Sequence, residues 1–382
     1  MKTSQIILRM DSEFNAELQP LCALQPQLVL VFGAPPFFES PKLADTLRLL
    51  MPHAVIAGCS TAGEIAIDCV YDDTCVVTGV CFTHTPLAIA STAINGMDDS
   101  FYAGERLARM LVPSDLSAVL LFGTGVAVNG SALVSGLQAA LPKDVTVSGG
   151  LAADGGNFRQ TWTLGPLGAA DDHIVAVGLY GKNIRFAYGN FAGWETFGPA
   201  RKVTRCADNV LYELDGRRAL DIYKSYLGEY AKDLPRSGLL FPFEMLCLDQ
   251  QRSGIFRSII GMNEEEGSLT LAGNIDANGY LKLMHSSIEK LIAGAEMAAG
   301  MVAHTIGEPD DGDALAILVS CVGRKLVMGD RIDEEIETVA SLLGKKTLVT
   351  GFYSNGEFAG SEFYGECHLN NQTMAITWMR EV

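Results

Sequence analysis

The residues in this chain best equipped for chemistry stand at the ends of apolar runs. Ser320-Cys321-Val322-Gly323-Arg324 closes one such run. A neighbouring cation favours a thiolate, which makes Cys321 a candidate nucleophile. Arg324 is equally suited to clamping a ligand carboxylate through paired hydrogen bonds. A buried Cys beside an ion-paired Arg is the third reading, and the sequence leaves all three open. Glu64 and Glu357 occupy matching places in two Gly-rich turns. Paired carboxylates serve as acid and base when their surroundings push their pKa values apart; they also cap turns or bind a ligand amine. Glu357 taken together with Arg324 would hold an amino-acid-like ligand.

The other familiar chemistries find little support. The six histidines form neither HxxxH nor HExxH, so no preassembled zinc site is expected. Haem needs a single proximal His; His285, beside Met284 in an apolar stretch, and His368, beside Asn370-Asn371-Gln372-Thr373, are the candidates for its iron. There is no GxSxG nucleophile elbow, no GxxxxGK[ST] and no GxGxxG opening a helix after a strand, so neither a hydrolase triad nor a nucleotide fingerprint is indicated.

These residues must be positioned by repeated elements. One unit recurs three times: an apolar run, a helix-like segment, a second short run and a Gly-rich turn. The copies are 28–32, 42–50 and 54–57; 119–122, 131–140 and 145–148; and 314–319, 333–343 and 347–350. Continuous apolar runs suit strands covered on both faces. Ile332, Ile336, Val339 and Leu343 fall on one helical face, and acidic residues at 333–335 favour that helix's start. Each unit therefore reads as βαβ. The turns Gly58-Cys59-Ser60-Thr61-Ala62-Gly63-Glu64 and Gly351-Phe352-Tyr353-Ser354-Asn355-Gly356-Glu357 share G-x-x-[ST]-x-G-E, while Ser148-Gly149-Gly150 leads to Asp154 where the others have Gly. Glycines after strands let backbone N–H groups approach a ligand. Between the units, 73–82 and 372–379 read as strands. Segments 172–180 with 183–188, and 255–261 with 268–272, read as hairpins. The predicted fold class is α/β, two related lobes with additional antiparallel hairpins, divided at 25–190 and 191–382.

Composition narrows the function. Against 28 Lys and Arg stand 45 Asp and Glu, a net charge of −17. Such a surface repels phosphate backbones and anionic lipids, so neither nucleic acid nor membrane is an expected partner. Nothing approaches 18 uncharged apolar residues, and the amino terminus lacks a leader pattern. Nine cysteines, none in CxxC pairs, read as reduced core residues of a cytoplasmic protein.

The turns around Gly58 and Gly149, with Leu211-Tyr212-Glu213-Leu214-Asp215-Gly216, Ala219-Leu220-Asp221-Ile222-Tyr223, Ser320–Arg324, Gly351–Glu357 and Leu369-Asn370-Asn371-Gln372-Thr373, resemble the amino- and carboxy-terminal domains of the FIST family. The resemblance implies a sensory input protein that binds a small ligand, rather than an enzyme. With no output module before Val382, it implies a separate partner such as a histidine kinase or a cyclic-nucleotide signalling enzyme. Some stand-alone relatives are described as haem-containing nitric-oxide sensors. Ligand contacts are expected at Gly58, Ser60, Thr61, Glu64, Gly149, Gly150, Cys321, Gly323, Arg324, Ser354, Gly356, Glu357, Asn371 and Thr373. The alternative is an enzyme using Cys321 as a thiol nucleophile.

Overall fold

The computed structural model describes residues 1–111, 114–307, 312–360 and 366–382. The three βαβ units are present. Leu28–Gly33 runs parallel to Val55–Ser60 across helix Lys42–Leu50. Leu116–Gly123 runs parallel to Thr146–Leu151 across Gly130–Ala140, and Ala314–Cys321 parallel to Thr347–Ser354 across Asp333–Leu343. On its other side each leading strand takes an antiparallel partner: Thr74–Cys81, His173–Tyr180 and Met374–Glu381 respectively.

The units are tied by exchange. After its second strand each unit sends a hairpin into a neighbour's sheet. Glu64–Ala66 pairs with the third unit's Thr347–Ser354. Thr163–Gly165 pairs with the first unit's Val55–Ser60, and Gly356–Gly360 with the second unit's Thr146–Leu151. The cycle closes on itself, giving three six-stranded sheets of the same plan. A ring of backbone hydrogen bonds follows the same order. Ala62 N–H donates to Tyr353 O (2.9 Å), Asn355 N–H to Leu151 O (3.3 Å) and Ala153 N–H to Ser60 O (2.8 Å). Phe32, Phe122 and Phe352, one from each unit, meet with ring centroids 4.7–6.4 Å apart. Where the hairpins enter, the sheets demand glycine. A Cβ on Gly58, Gly149 or Gly351 would stand 1.8, 2.1 or 1.9 Å from the carbonyl oxygen of Val31, Leu121 or Leu318.

The chain between Glu195 and His285 builds a fourth, eight-stranded antiparallel sheet, inserted ahead of the third unit's leading strand. Its own core includes Leu211, Tyr223, Ile259 and Leu283. Two expected hairpins are corrected. His173–Tyr180 and Ile184–Phe191 lie in different sheets, the latter pairing with Met374–Glu381. The run 255–261 breaks at Ser258: Arg252–Arg257 pairs with Phe243–Leu246, and only Ile259–Asn263 pairs with Ser268–Leu271. Alternation of residue types marks strands but is silent on which neighbour a strand chooses. Among the described residues no helix is long and apolar enough to cross a membrane.

Candidate functional site

The Gly-rich turns converge where the three sheets meet. Two of them build the same carboxylate hub. Glu64 accepts from Thr74 N–H (3.1 Å) and Thr74 Oγ1 (2.8 Å) and also from the Thr61 hydroxyl. Glu357 accepts from Ser354 Oγ (2.7 Å), Thr373 N–H (3.1 Å) and Thr373 Oγ1 (2.9 Å). Burial pushes the Glu64 carboxyl up to about 7 and that of Glu357 up to about 8, against the pull of these donors. In the second unit Gly155 takes the equivalent place. The preceding Asp154 accepts from the N–H groups of Phe158, Arg159 and Gln160 (2.7–3.1 Å) and coils that loop around itself. Each hub binds within its own unit, so the two glutamates act as braces of the exchanged hairpins rather than as one acid–base pair.

Of the residues expected at a ligand, Ser60, Thr61, Glu64, Cys321, Arg324, Ser354, Glu357, Asn371 and Thr373 are brought together but buried. Gly149 and Gly150 pair with Phe358 and Glu357, Gly356 with Leu151, and Gly58 with Leu164. Gly323 packs against the side chain of Gln372. Arg324 requires a correction: its guanidinium is fully enclosed, both Nη groups are bonded within the protein, and only the buried Nε lacks a partner among the described residues. The guanidinium binds Glu335 at 2.6 Å and the carbonyls of Ala192 and Leu291 at 2.5 and 2.9 Å. Glu335 also accepts from Ser320 Oγ (3.2 Å) and Tyr353 OH (2.5 Å). Burial, with Glu357 nearby, pushes the Cys321 thiol well above its ordinary range, which opposes a thiolate.

An accessible cleft of about 480 Å³ lies next to these turns. Its walls are the loop 155–159 after Asp154, Arg236 and Leu239 of the inserted region, Ile259, and Leu326 of the helix after Cys321. Gln372 ties this wall to the ring: its Nε2 donates to Leu239 O (2.8 Å) and Ser258 Oγ (2.9 Å). Asn371 Nδ2 reaches Asn355 O, and Asn355 Nδ2 reaches Gly125 O, both at 3.4 Å. The amide oxygens of Asn355, Asn371 and Gln372 are buried without a hydrogen-bond partner among the described residues. Buried polar atoms are nearly always satisfied, so three orphaned acceptors on neighbouring turns are a signal. Arg159 and Arg236 stand exposed at the cleft and have no ion-pair partner among the described residues. Sequence reasoning missed Asn355, Gln372, Arg159 and Arg236. The run of amides at 370–372 was visible, but only packing reveals which of their atoms go unpaired.

The histidines lie apart. His285 ends strand Tyr280–His285, edge-on to Phe197 at 5.8 Å and opposite Glu195, which pairs with Lys290 at 2.9 Å. His368 sits in another sheet and lines a smaller cleft of about 280 Å³ with Arg257, Asn274 and Ser131. Burial, then Arg257, lowers its pKa. Ligand pockets span roughly 300–1,000 Å³ and are mostly apolar; neither setting is the apolar slot a porphyrin requires. Among the described residues no group of three or more His, Cys, Asp or Glu could hold a metal ion.

A family model described as the FIST N domain matches residues 27–217, and one described as the FIST C domain matches residues 219–360. An uncharacterized protein of Methanocaldococcus jannaschii is 25% identical over 209 residues, covering 51% of this chain and 39% of the relative. The chain thus spans about two fifths of that relative's length. A crystal structure of cyanuric acid hydrolase from A. caulinodans aligns over 99% of this chain and 98% of its own, with 8% identity and a TM-score of 0.38, too distant to bear on chemistry.

Proposed function

Because this chain belongs to the FIST family, whose domains are associated with small-ligand sensing in signalling, we propose that it is a sensory protein for an amino-acid-like metabolite. The ligand sits in the cleft between loop 155–159 and the inserted sheet. The observation that carries this reading is the set of orphaned oxygens of Asn355, Asn371 and Gln372, which do not line the cleft themselves but stand behind its Leu239 wall, to which Gln372 Nε2 is bonded. Three acceptors call for a donor-rich group, and an ammonium supplies three N–H bonds. Arg159 and Arg236 offer forked donors to the accompanying carboxylate. These arginines take the role that Arg324, paired with Glu335, does not fill.

The cleft joins ring to insert, so a ligand gripping both favours one arrangement of the two. A ligand shifts an equilibrium only by its differential affinity for the two states. The shifted arrangement is what a separate cytoplasmic partner, such as a histidine kinase or a cyclic-nucleotide signalling enzyme, would read. A haem-based reading draws less support, since His285 and His368 lie in polar surroundings. The thiol-enzyme reading draws less support because burial disfavours the Cys321 thiolate.

The test is a thermal-shift screen of the full chain against free amino acids, with native mass spectrometry and a visible spectrum on the same sample. A true ligand at a hundred times its Kd adds about 2.7 kcal/mol of stability. Asn371→Ala and Arg159→Ala should keep the fold and lose that shift. A panel without any shift, or a shift indifferent to both substitutions, overturns the reading; a Soret band would replace it with haem.

A further inference from the structure

The cleft beside His368 holds an unusual cation. Arg257 ends strand Arg252–Arg257 of the inserted sheet and is 4% exposed. Its hydrogen bonds all go to neutral groups: Nε to Asn274 O (3.0 Å), Nη1 to Phe256 O (3.0 Å) and Leu369 O (2.9 Å), and Nη2 to Ser131 Oγ at a long 3.4 Å. Among the described residues no carboxylate lies within ion-pair distance of it. Asp276 lines the same cleft but is exposed and accepts from Asn278 N–H. The other buried arginine among the described residues, Arg324, has its glutamate at 2.6 Å. Buried charges are ordinarily paired, because an uncompensated one keeps its desolvation cost.

The surroundings favour the missing charge. Ser131 is in the first turn of the eleven-residue helix Gly130–Ala140, whose positive dipole end opens on the cleft. Ser131 offers its hydroxyl hydrogen at the same place, while Ser135 Oγ, also on the wall, donates to Ser131 O at 2.9 Å. Asn274 N–H and Arg257 both lean on the single oxygen of Ser131, at 3.3 and 3.4 Å. A volume of about 280 Å³ admits a small oxyanion with a short tail and excludes a nucleotide or a porphyrin.

We propose that this cleft is a second binding site, specific for a small oxyanion, a carboxylate or a phosphate group, held by Arg257 and the start of helix Gly130–Ala140. The site spans three parts of the molecule: the second unit's helix, the insert through Arg257 and Asn274, and the third unit's hairpin through Leu369 and His368. A bound oxyanion would therefore clamp the insert to the ring at Arg257 and Leu369, close in sequence to Ile259 and Ile260 of the amino-acid cleft but lined by different residues.

The test titrates the full chain with inorganic phosphate and, separately, with succinate, against chloride at equal ionic strength. The expected result is a saturable rise in Tm of about 2 °C or more with one oxyanion. The arm that responds names the chemistry, phosphate or carboxylate. Arg257→Gln should lose the response and Arg159→Ala should keep it. Ser131→Asp places a carboxylate beside Nη2; it should raise the Tm without added anion and abolish the response. General salting-out stabilises every variant alike, so a response that survives in Ser131→Asp overturns the site. Equal behaviour of oxyanions and chloride overturns it as well. Should Arg257→Gln fail to fold, Ser131→Asp decides.

Discussion

Two arginines are buried among the described residues, and they sit in different electrostatic circumstances. Arg324, in the ring, meets Glu335, two carbonyls and, through that glutamate, the hydroxyls of Ser320 and Tyr353. Arg257, at the junction with the insert, meets three carbonyls and a serine. In the first arrangement the charge is balanced inside the protein, although Nε of Arg324 is left without a hydrogen-bond partner among the described residues. The second leaves a full charge to be balanced from outside. Burial alone therefore does not separate a structural cation from a binding one; the partner set does.

The comparison breaks most easily at Glu335. Glu335→Ala leaves Arg324 enclosed and unpaired and should cost about 3–5 kcal/mol in chemical denaturation. A loss below about 1 kcal/mol would mean the ring tolerates an uncompensated cation, and the contrast with Arg257 would collapse. Next in size, Gly351→Ala drives a methyl into Leu318 O and should cost on the order of 3 kcal/mol. A milder effect would show that the sheet around Arg324 yields rather than resists.

A pH series sharpens the comparison further. Glu357 and Glu64 have folded pKa values of about 8 and about 7, raised from 4.5. Between those values the folded state holds protons that the unfolded chain has released. Stability is therefore greatest on the acid side and falls as pH rises from about 5 to about 8. The slope for each group approaches 1.4 kcal/mol per pH unit at most, roughly. Glu357→Gln should flatten the upper part of a plot of Tm against pH, while Arg257, a cation throughout that window, contributes nothing to it. A slope unchanged in Glu357→Gln would show that this glutamate is ionised when folded. The smallest effect belongs to Cys321. Native protein should react with iodoacetamide on the order of a hundredfold more slowly at this thiol than unfolded protein does; rapid, selective alkylation would return the thiol to the list of chemical agents.

Much of the ring was legible because local rules write it. Apolar runs, helix periodicity and strand-ending glycines marked all three βαβ units, and helices 42–50 and 333–343 fall where those patterns put them. The shared G-x-x-[ST]-x-G-E turns foretold equivalent hubs, since a carboxylate three residues after a hydroxyl can be braced locally, as Thr61 with Glu64 and Ser354 with Glu357. The strand-end glycines Gly58, Gly149 and Gly351 were legible as places of close approach to the backbone, but what approaches is the carbonyl of a neighbouring strand rather than the ligand the turns suggested.

What the chain could not disclose by itself depends on partners far away in sequence. The exchange of hairpins pairs Gly351 with Ile65 and Phe358 with Gly149, contacts separated by hundreds of residues that no periodicity encodes. The assignment of Arg324 to Glu335 and of Arg257 to neutral groups is of the same kind. So is the orphaning of the amide oxygens at 355, 371 and 372. Sequence determines which groups carry charge or hydrogen-bonding capacity. Whether that capacity is consumed inside the protein or left for a ligand is set by desolvation and geometry, which exist only once the sheets have closed.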